Sequence, residues 1–344
     1  MRWLASPINK AYGLVGFALA GMVAAVLCVH ASPAASAEAL REEVESFIGE
    51  MTQRHGFESA WLRRLLAQAK TQPGVIEAMS TPATARPWHE YFPNYVNAQR
   101  IQAGVRFWRD NQVTLAKARA KYGVPEEIIV ATLGVETNYG TQTGSRRVLD
   151  VLTTLAFDFP PRAGYFKEEL EQFLVLAMSR RVDPLRVKGS YAGAMGMPQF
   201  MPSSFARFAV DFDGDGRLTL WDGAADSIGS IANYYKAYGW QAQQPVALPA
   251  SVSGEGYREL LALGIKPQAN AAQLRASGVV PGADVNDAEL MALFALQMPD
   301  GPQYWLGLNN FYVITRYNRS INYAMSVYQL AREIRSLRET PAAR

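Results

Sequence analysis

Apolar residues recur at helical spacing along most of this 344-residue chain, and that constrains the fold more than any other feature. Val44, Phe47, Ile48 and Met51 fall at i, i+3, i+4 and i+7, as do Leu62, Leu65, Leu66 and Ala69. The same pattern predicts a helix through Val105 to Tyr122 that stops near Gly123. Pro125 then stands where a first helical residue would, with Glu126 and Glu127 in the first turn to meet the helix dipole. Phe166 to Met178, Ile228 to Tyr238 and Ile321 to Leu337 read as further amphipathic helices. Between Pro245 and about Asn310 the texture changes. Pro and Gly become frequent, and the apolar runs shorten to Val246-Ala247-Leu248, Val279-Val280 and Leu290 to Leu296. Tyr304 to Thr315 is rich in aromatic and β-branched residues. The expected fold is therefore mainly α (α+β overall), with a small insertion of a few antiparallel strands.

The N-terminus carries its own signal. Arg2 and Lys10 precede a mainly apolar run from Leu14 to Val29, and Ala35-Ser36-Ala37 forms an A-x-A cleavage pattern before Glu38. This reads as an export leader of residues 1–37, with an uncleaved membrane anchor as the alternative. The only cysteine, Cys28, lies inside the leader, so the exported chain would have no disulfide, no thiol catalysis and no Cys-ligated metal. A lipid anchor on Cys28 is disfavoured, because no small residue precedes it. The formal charge of +3 is weak, and no basic cluster interleaved with aromatics points to nucleic acid.

Three segments carry chemistry. In Gly134-Val135-Glu136-Thr137-Asn138-Tyr139-Gly140, residues Ile129, Thr132 and Leu133 stand seven, four and three positions before Glu136. The carboxyl therefore projects from the inward face of a helix, where lost hydration raises its pKa towards that of a general acid. A buried Glu satisfied by an arginine is the plainer reading. The segment from Lys188 to Ser204 (KGSYAGAMGMPQFMPSS) is too rich in Gly and Pro for a helix. Its glycines would let backbone approach a ligand, and Ser190 and Gln199 can donate hydrogen bonds; a Gly-rich packing turn is the alternative. Asp211-Phe212-Asp213-Gly214-Asp215-Gly216-Arg217-Leu218 matches the first half of an EF-hand loop. Asp211, Asp213, Asp215 and the Arg217 carbonyl would face the ion, closed either by Asp222 at the twelfth position or by Asp226; an acidic solvated turn is the alternative. No G-x-S-x-G, H-E-x-x-H or P-loop is present.

These segments, with Ile314-Thr315-Arg316-Tyr317-Asn318, resemble in order the anchors of the lytic transglycosylase B family, from about Tyr91 to Tyr323. The resemblance implies a lysozyme-like helical core with an EF-hand-like calcium loop, a helical flanking domain and a small α+β insertion. The implied organisation is a helical domain at 38–115 joined by the C-terminal helix 324–344, a core at 116–245, an insertion at 246–310 and a return to the cleft at 311–323. Glu136 matches the family's sole catalytic carboxylate, and Ser190, Gln199 and Phe200 match positions lining a sugar cleft. Tyr91, Tyr234, Tyr317, Asn318 and Tyr323 fall on aromatic and amide cleft positions, and Arg162 on an arginine. The family closes its calcium loop beyond the twelfth residue, which favours Asp226. Pro198 replaces an expected glycine, and one extra residue separates Asp222 from Asp226.

The implied activity is cleavage of the β-1,4 bond between N-acetylmuramic acid and N-acetylglucosamine in peptidoglycan, leaving 1,6-anhydro-muramic termini. Structural Ca²⁺ is the one expected cofactor. Peptidoglycan glycan strands are the expected partner, other cell-wall enzymes are conceivable associates, and a periplasmic monomer is expected. A hydrolytic muramidase and a non-catalytic peptidoglycan-binding protein are the rival readings.

Overall fold

A computed structural model describes residues 33–80 and 86–340, with side chains from Glu42 onward. The apolar leader lies outside the described residues. Of residues 1–43 the helix from Pro33 is described, and the described residues from Val44 onward make up one compact unit.

Fifteen helices are described. The first four are α1 (Pro33–His55), α2 (Ser59–Leu66), α3 (Pro73–Ser80) and α4 (Trp88–Tyr91). The helix expected through Val105 to Tyr122 is in fact two, α5 (Ala98–Asp110) and α6 (Gln112–Tyr122). They break at Asn111, whose ψ of 20° leaves the helical region and whose side chain donates to the Phe107 carbonyl. The apolar spacing continues across the break, which is why the sequence conceals it. Gly123 ends α6 with φ 74°, a left-handed cap that glycine adopts without steric cost.

Pro125 is the cap rather than the first residue of α7 (Glu126–Thr137). From Ile128 to Val135 every residue of α7 is buried. A helix apolar all round belongs inside a protein, and α5, α6, α11 (Ala225–Ala237) and α15 (Ile321–Glu339) pack around it. Ile129 and Leu133 have no exposed surface, and burial of each contributes roughly 2 kcal/mol. Strand β1 (Arg146–Arg147) leads into α8 (Val148–Phe157) and α9 (Ala163–Arg180), and pairs antiparallel with β2 (Lys188–Gly189). The Gly-rich segment follows as loop, then α10 (Pro202–Phe208).

The change of texture after Pro245 corresponds to a four-stranded antiparallel sheet, ordered β4-β3-β6-β5. It comprises β3 (Ala247–Val252), β4 (Val279–Pro281), β5 (Ala292–Leu296) and β6 (Gln303–Gly307), with α12 (Tyr257–Ala262) and α13 (Ala271–Ala276) between β3 and β4. Leu260, Leu274, Val279, Leu293 and Leu306 form its separate apolar core. The aromatic run from Tyr304 is strand only as far as Gly307. From Asn309 to Tyr317 it is helix α14, which buries Phe311, Val313 and Ile314; Phe311 stacks on Phe294 of β5 at 4.7 Å. Among the described residues no helix is long and apolar enough to cross a membrane.

Asn310 ties α14 to the loop between α11 and β3. Its side chain is fully buried, accepts from the Gln241 amide at 2.8 Å, and donates to the Gln241 and Gln244 carbonyls at 2.8 and 2.9 Å. Asn310→Ala should lower stability by about 1–3 kcal/mol, since three backbone groups lose a partner whose side chain is fully buried. Urea unfolding measures this, and an unchanged midpoint would show that those groups find other partners.

Candidate active site

Glu136 sits in the last turn of α7, and the chain reverses sharply behind it. Asn138 and Tyr139 both adopt positive φ, 48° and 60°, which side chains tolerate only when their surroundings hold them there. Two contacts do so. The Tyr139 hydroxyl donates to the Arg100 carbonyl at 2.8 Å, with its ring threaded between α5 and α7. A Cβ on Gly104 or Gly134 would come within 2.5 or 2.6 Å of that hydroxyl. The Thr137 hydroxyl donates to the Met197 carbonyl and accepts from the Gly140 amide, both at 2.9 Å. The motif around Glu136 thus encodes the turn that aims it: glycine for the ring, threonine for the loop, tyrosine for the clamp.

The Glu136 carboxyl accepts a 2.5 Å hydrogen bond from Tyr323, in the first turn of α15. Tyr317 stacks on Tyr323 at 6.3 Å and donates to the Pro198 carbonyl at 2.5 Å. Tyr235 lies behind them, hydrogen-bonded to Thr132 at 2.8 Å. Glu136 keeps part of its surface towards solvent, yet its carboxyl is enclosed closely enough that lost hydration dominates its ionisation. The Tyr323 hydrogen bond favours the charged form and opposes this, but burial prevails and the pKa rises to about 7. Burial and the negative potential of Glu136 hold the Tyr317 and Tyr323 phenols well above their usual range, so both remain hydrogen-bond donors.

The other expected residues divide into three groups. Tyr91 is buried, stacks on Tyr95 at 4.7 Å and is close enough to Glu136 to feel its charge. Tyr234 and Phe200 pack against Tyr317 at 4.8 and 5.8 Å, but Phe200 is only 2% exposed and backs the site rather than lining it. The Tyr234 hydroxyl donates to the Arg316 carbonyl at 2.6 Å. Ser190 accepts from the Ala192 and Ala194 amides, and its own proton remains to donate. Gln199 cannot donate as expected, since its amide nitrogen already serves the Thr143 and Gly196 carbonyls at 3.1 and 2.8 Å. Its side-chain oxygen is the atom left to offer. Arg162 lies over the Tyr165 ring at 4.6 Å and Asn318 is exposed at the end of α14; neither joins the tyrosine cluster. The glycines of this loop serve backbone packing: a Cβ on Gly189 would lie 2.2 Å from the Ala194 carbonyl oxygen.

The acidic loop gathers oxygen ligands. Carboxylate oxygens of Asp211, Asp213 and Asp226 lie within 4.8 Å of one another. Asp226, buried in the first turn of α11, accepts from the Phe212 and Thr219 amides at 2.7 and 2.9 Å. Asp211 accepts from Gly214 and Gly216 at 2.8 and 2.9 Å, and Asp215 from Arg217 at 2.7 Å. Asp222 is exposed and stands outside the trio. An all-oxygen set with one buried carboxylate fits a hard cation such as calcium.

Sequence reasoning missed Tyr235 and Tyr191. Tyr235 is fully buried and feels the charge of Glu136; Tyr191 acts on Tyr91. The Tyr234-Tyr235 doublet was the available signal, because neighbours on a helix reach two different faces.

Comparison with known proteins accords with this geometry. A family profile described as Transglycosylase SLT domain matches residues 39–332. Membrane-bound lytic murein transglycosylase B of Escherichia coli is 43% identical over 300 residues, 84% of this chain and 82% of the relative. The crystal structure of the soluble lytic transglycosylase SltB1 from Pseudomonas aeruginosa superposes with a TM-score of 0.81 at 46% identity, covering 87% of this chain and all of that one. The E. coli lytic transglycosylase Slt35 in complex with calcium gives a TM-score of 0.79 at 42% identity, covering 86% and 94%. The chain belongs to the SLT transglycosylase family and is a peptidoglycan-cleaving lytic transglycosylase.

Proposed function

We propose that Glu136 alone serves as acid and then as base. The observation that carries this is its environment: the enclosed carboxyl accepts from Tyr323, and among the described residues no hydrogen bond joins it to a second carboxyl group. Near neutral pH a pKa of about 7 keeps a useful share of the carboxyl protonated. Glu136 donates its proton to the glycosidic oxygen as the bond to muramic C1 breaks, releasing the 4-hydroxyl of N-acetylglucosamine. The muramic 6-hydroxyl then attacks C1, and its proton passes to the Glu136 carboxylate, which restores the acid. No water is consumed, and the product ends in 1,6-anhydro-muramic acid. Ordinary glycosidases use two carboxylates; here the 6-hydroxyl is held intramolecularly at high effective concentration. Tyr323 fixes the carboxyl, and Tyr91, Ser190, Gln199, Tyr234 and Tyr317 are the residues to position sugars. Arg162 and Asn318 would act further out, and Phe200 from behind.

Asp211, Asp213 and Asp226 would hold Ca²⁺, with Asp215 and the Arg217 carbonyl completing the shell. The ion would supply structure rather than chemistry, fixing the start of α11 and so the Tyr234-Tyr235 pair. Export to the periplasm by a leader cleaved after Ala37 is the compartment that suits a murein substrate.

Glu136→Gln should cut turnover by about 10²–10⁴-fold while the protein stays folded. It should also stabilise the protein at alkaline pH. The folded-state pKa of about 7 lies above the ordinary carboxyl value of 4.5, so the native state loses stability as pH rises between those values. By pH 8 the charged carboxyl costs at most about 3 kcal/mol, which the amide avoids. Melting curves at pH 4 and pH 8 test this, and a variant no more stable than wild type at pH 8 would contradict a desolvated Glu136.

Tyr323→Phe removes the hydrogen bond that favours the carboxylate. The alkaline limb of the pH–rate profile should therefore move upward, and an unmoved limb would dismiss that role. Digestion in ¹⁸O-labelled water should leave new muramic termini unlabelled; substantial label there would indicate a hydrolase. Calcium at a hundredfold excess over Kd should raise stability by about 2.7 kcal/mol. A melting temperature indifferent to calcium and chelator, or to Asp226→Ala, would remove the ion from the account.

A further inference from the structure

Arg100 stands in the first turn of α5 and grips the catalytic turn on both sides of the acid. Its Nη1 donates to the carbonyl of Gly134, two residues before Glu136, and its own carbonyl accepts from Tyr139, three residues after. The Gly134 carbonyl also accepts from the Asn138 amide at 3.1 Å, so the guanidinium joins the hydrogen bond that closes α7. A cation among the last carbonyls of a helix meets its negative end favourably. The same guanidinium lies over the Tyr95 ring at 5.5 Å, and Tyr95 stacks on Tyr91 at 4.7 Å. Tyr91 in turn feels the charge of Glu136. One side chain therefore touches both the turn that carries the acid and the aromatic pair beside it.

This placement works against stability. Arg100 is half-buried, and among the described residues no carboxylate pairs with it. Its Nε–H is buried without an acceptor, and burial pushes its pKa below the usual arginine range. A charged donor left dry and unpaired weakens a fold. Stability gives no reason for an arginine here, whereas a site that trades stability for geometry does. Geometry is what chemistry with a single carboxyl demands, since a misplacement of ~1 Å can cost about 10²-fold in rate. The backbone behind Glu136 is strained at Asn138 and Tyr139, so it keeps its shape only while it is held.

We infer that Arg100 is a positioning residue for the reaction, locking the Glu136 turn in register with the Tyr91–Tyr95 stack. The inference rests on Glu136 being the acid and base, and it gives Arg100 no contact with the sugar.

Arg100→Met keeps the length of the side chain and removes its charge and donors. Its melting temperature should equal or exceed that of wild type, because no unpaired buried donor remains. On glycan strands kcat should fall about 10–100-fold while KM changes little. Arg100→Lys keeps a charged donor but loses the planar group over Tyr95, so its kcat should lie between the two. This second variant decides the matter if Arg100→Met does not fold, and wild-type kcat in it would count against the inference. Millimolar guanidinium should restore turnover to Arg100→Ala and leave wild type unaffected. In a Glu136→Gln background Arg100→Met should cost nothing further, because it acts through the group already removed.

Unchanged kcat in folded Arg100→Met overturns the inference. A loss of kcat that follows a lowered melting temperature, with no rescue by guanidinium, does so too and leaves Arg100 a structural residue. So does a raised KM with kcat intact, which would make it a substrate contact. An active Glu136→Gln protein would instead remove the acid itself. If Glu136→Gln is inactive while Arg100→Met turns over like wild type, only the role of Arg100 falls.

Discussion

The whole arrangement depends on placing one carboxyl at the end of a helix that has no wet side. An α-helix buried from Ile128 to Val135 is an anchor whose position is fixed by packing from every direction. Glu136 inherits that fixity and also the dryness. The same burial that secures the fold therefore sets the ionisation of the acid, and one cannot be relaxed without the other. This is a local conflict between stability and chemistry, of the sort expected at a functional site.

The tyrosines around Glu136 resolve part of that conflict. Tyr323 satisfies one carboxyl oxygen directly. Tyr317 and Tyr234 send their own hydroxyls to backbone carbonyls at Pro198 and Arg316, so the rings present their faces and edges to the site while their polar ends are occupied elsewhere. Such rings are stiff, having few rotatable bonds, and hold a shape without the entropy cost of ordering longer side chains. Phe200 and Tyr235 underpin them from behind.

Much of this was legible from the chain. The helical spacing of Ile129, Thr132 and Leu133 located Glu136 on the inward face, and the loss of that spacing after Pro245 marked the sheet. The break at Asn111 was not legible, because its flanking apolar residues keep one phase across it. The helical fate of Phe311 to Thr315 also escaped, since β-branched and aromatic residues go where packing takes them. Gln199 illustrates a different limit: residue type gives an inventory of donors, whereas the fold decides which of them are already engaged. Arg162 and Asn318 were nominated by resemblance alone, and nothing in their spacing could have brought them to the cluster.

The acidic loop has an implication of its own. Its carboxylates already accept backbone amides from Phe212, Gly214, Gly216, Arg217 and Thr219, so the loop is shaped by its own hydrogen bonds. A cation arriving there would meet a socket formed in advance, unlike the ligands of a domain that folds only around its metal. Little ordering would accompany binding, and affinity would follow from accumulated negative charge, weakening as ionic strength rises. Gly216, Arg217 and Leu218 also line a hollow shared with Arg180, Arg181 and Lys188, so an ion in the socket would offset the negative charge that lies beside those cations.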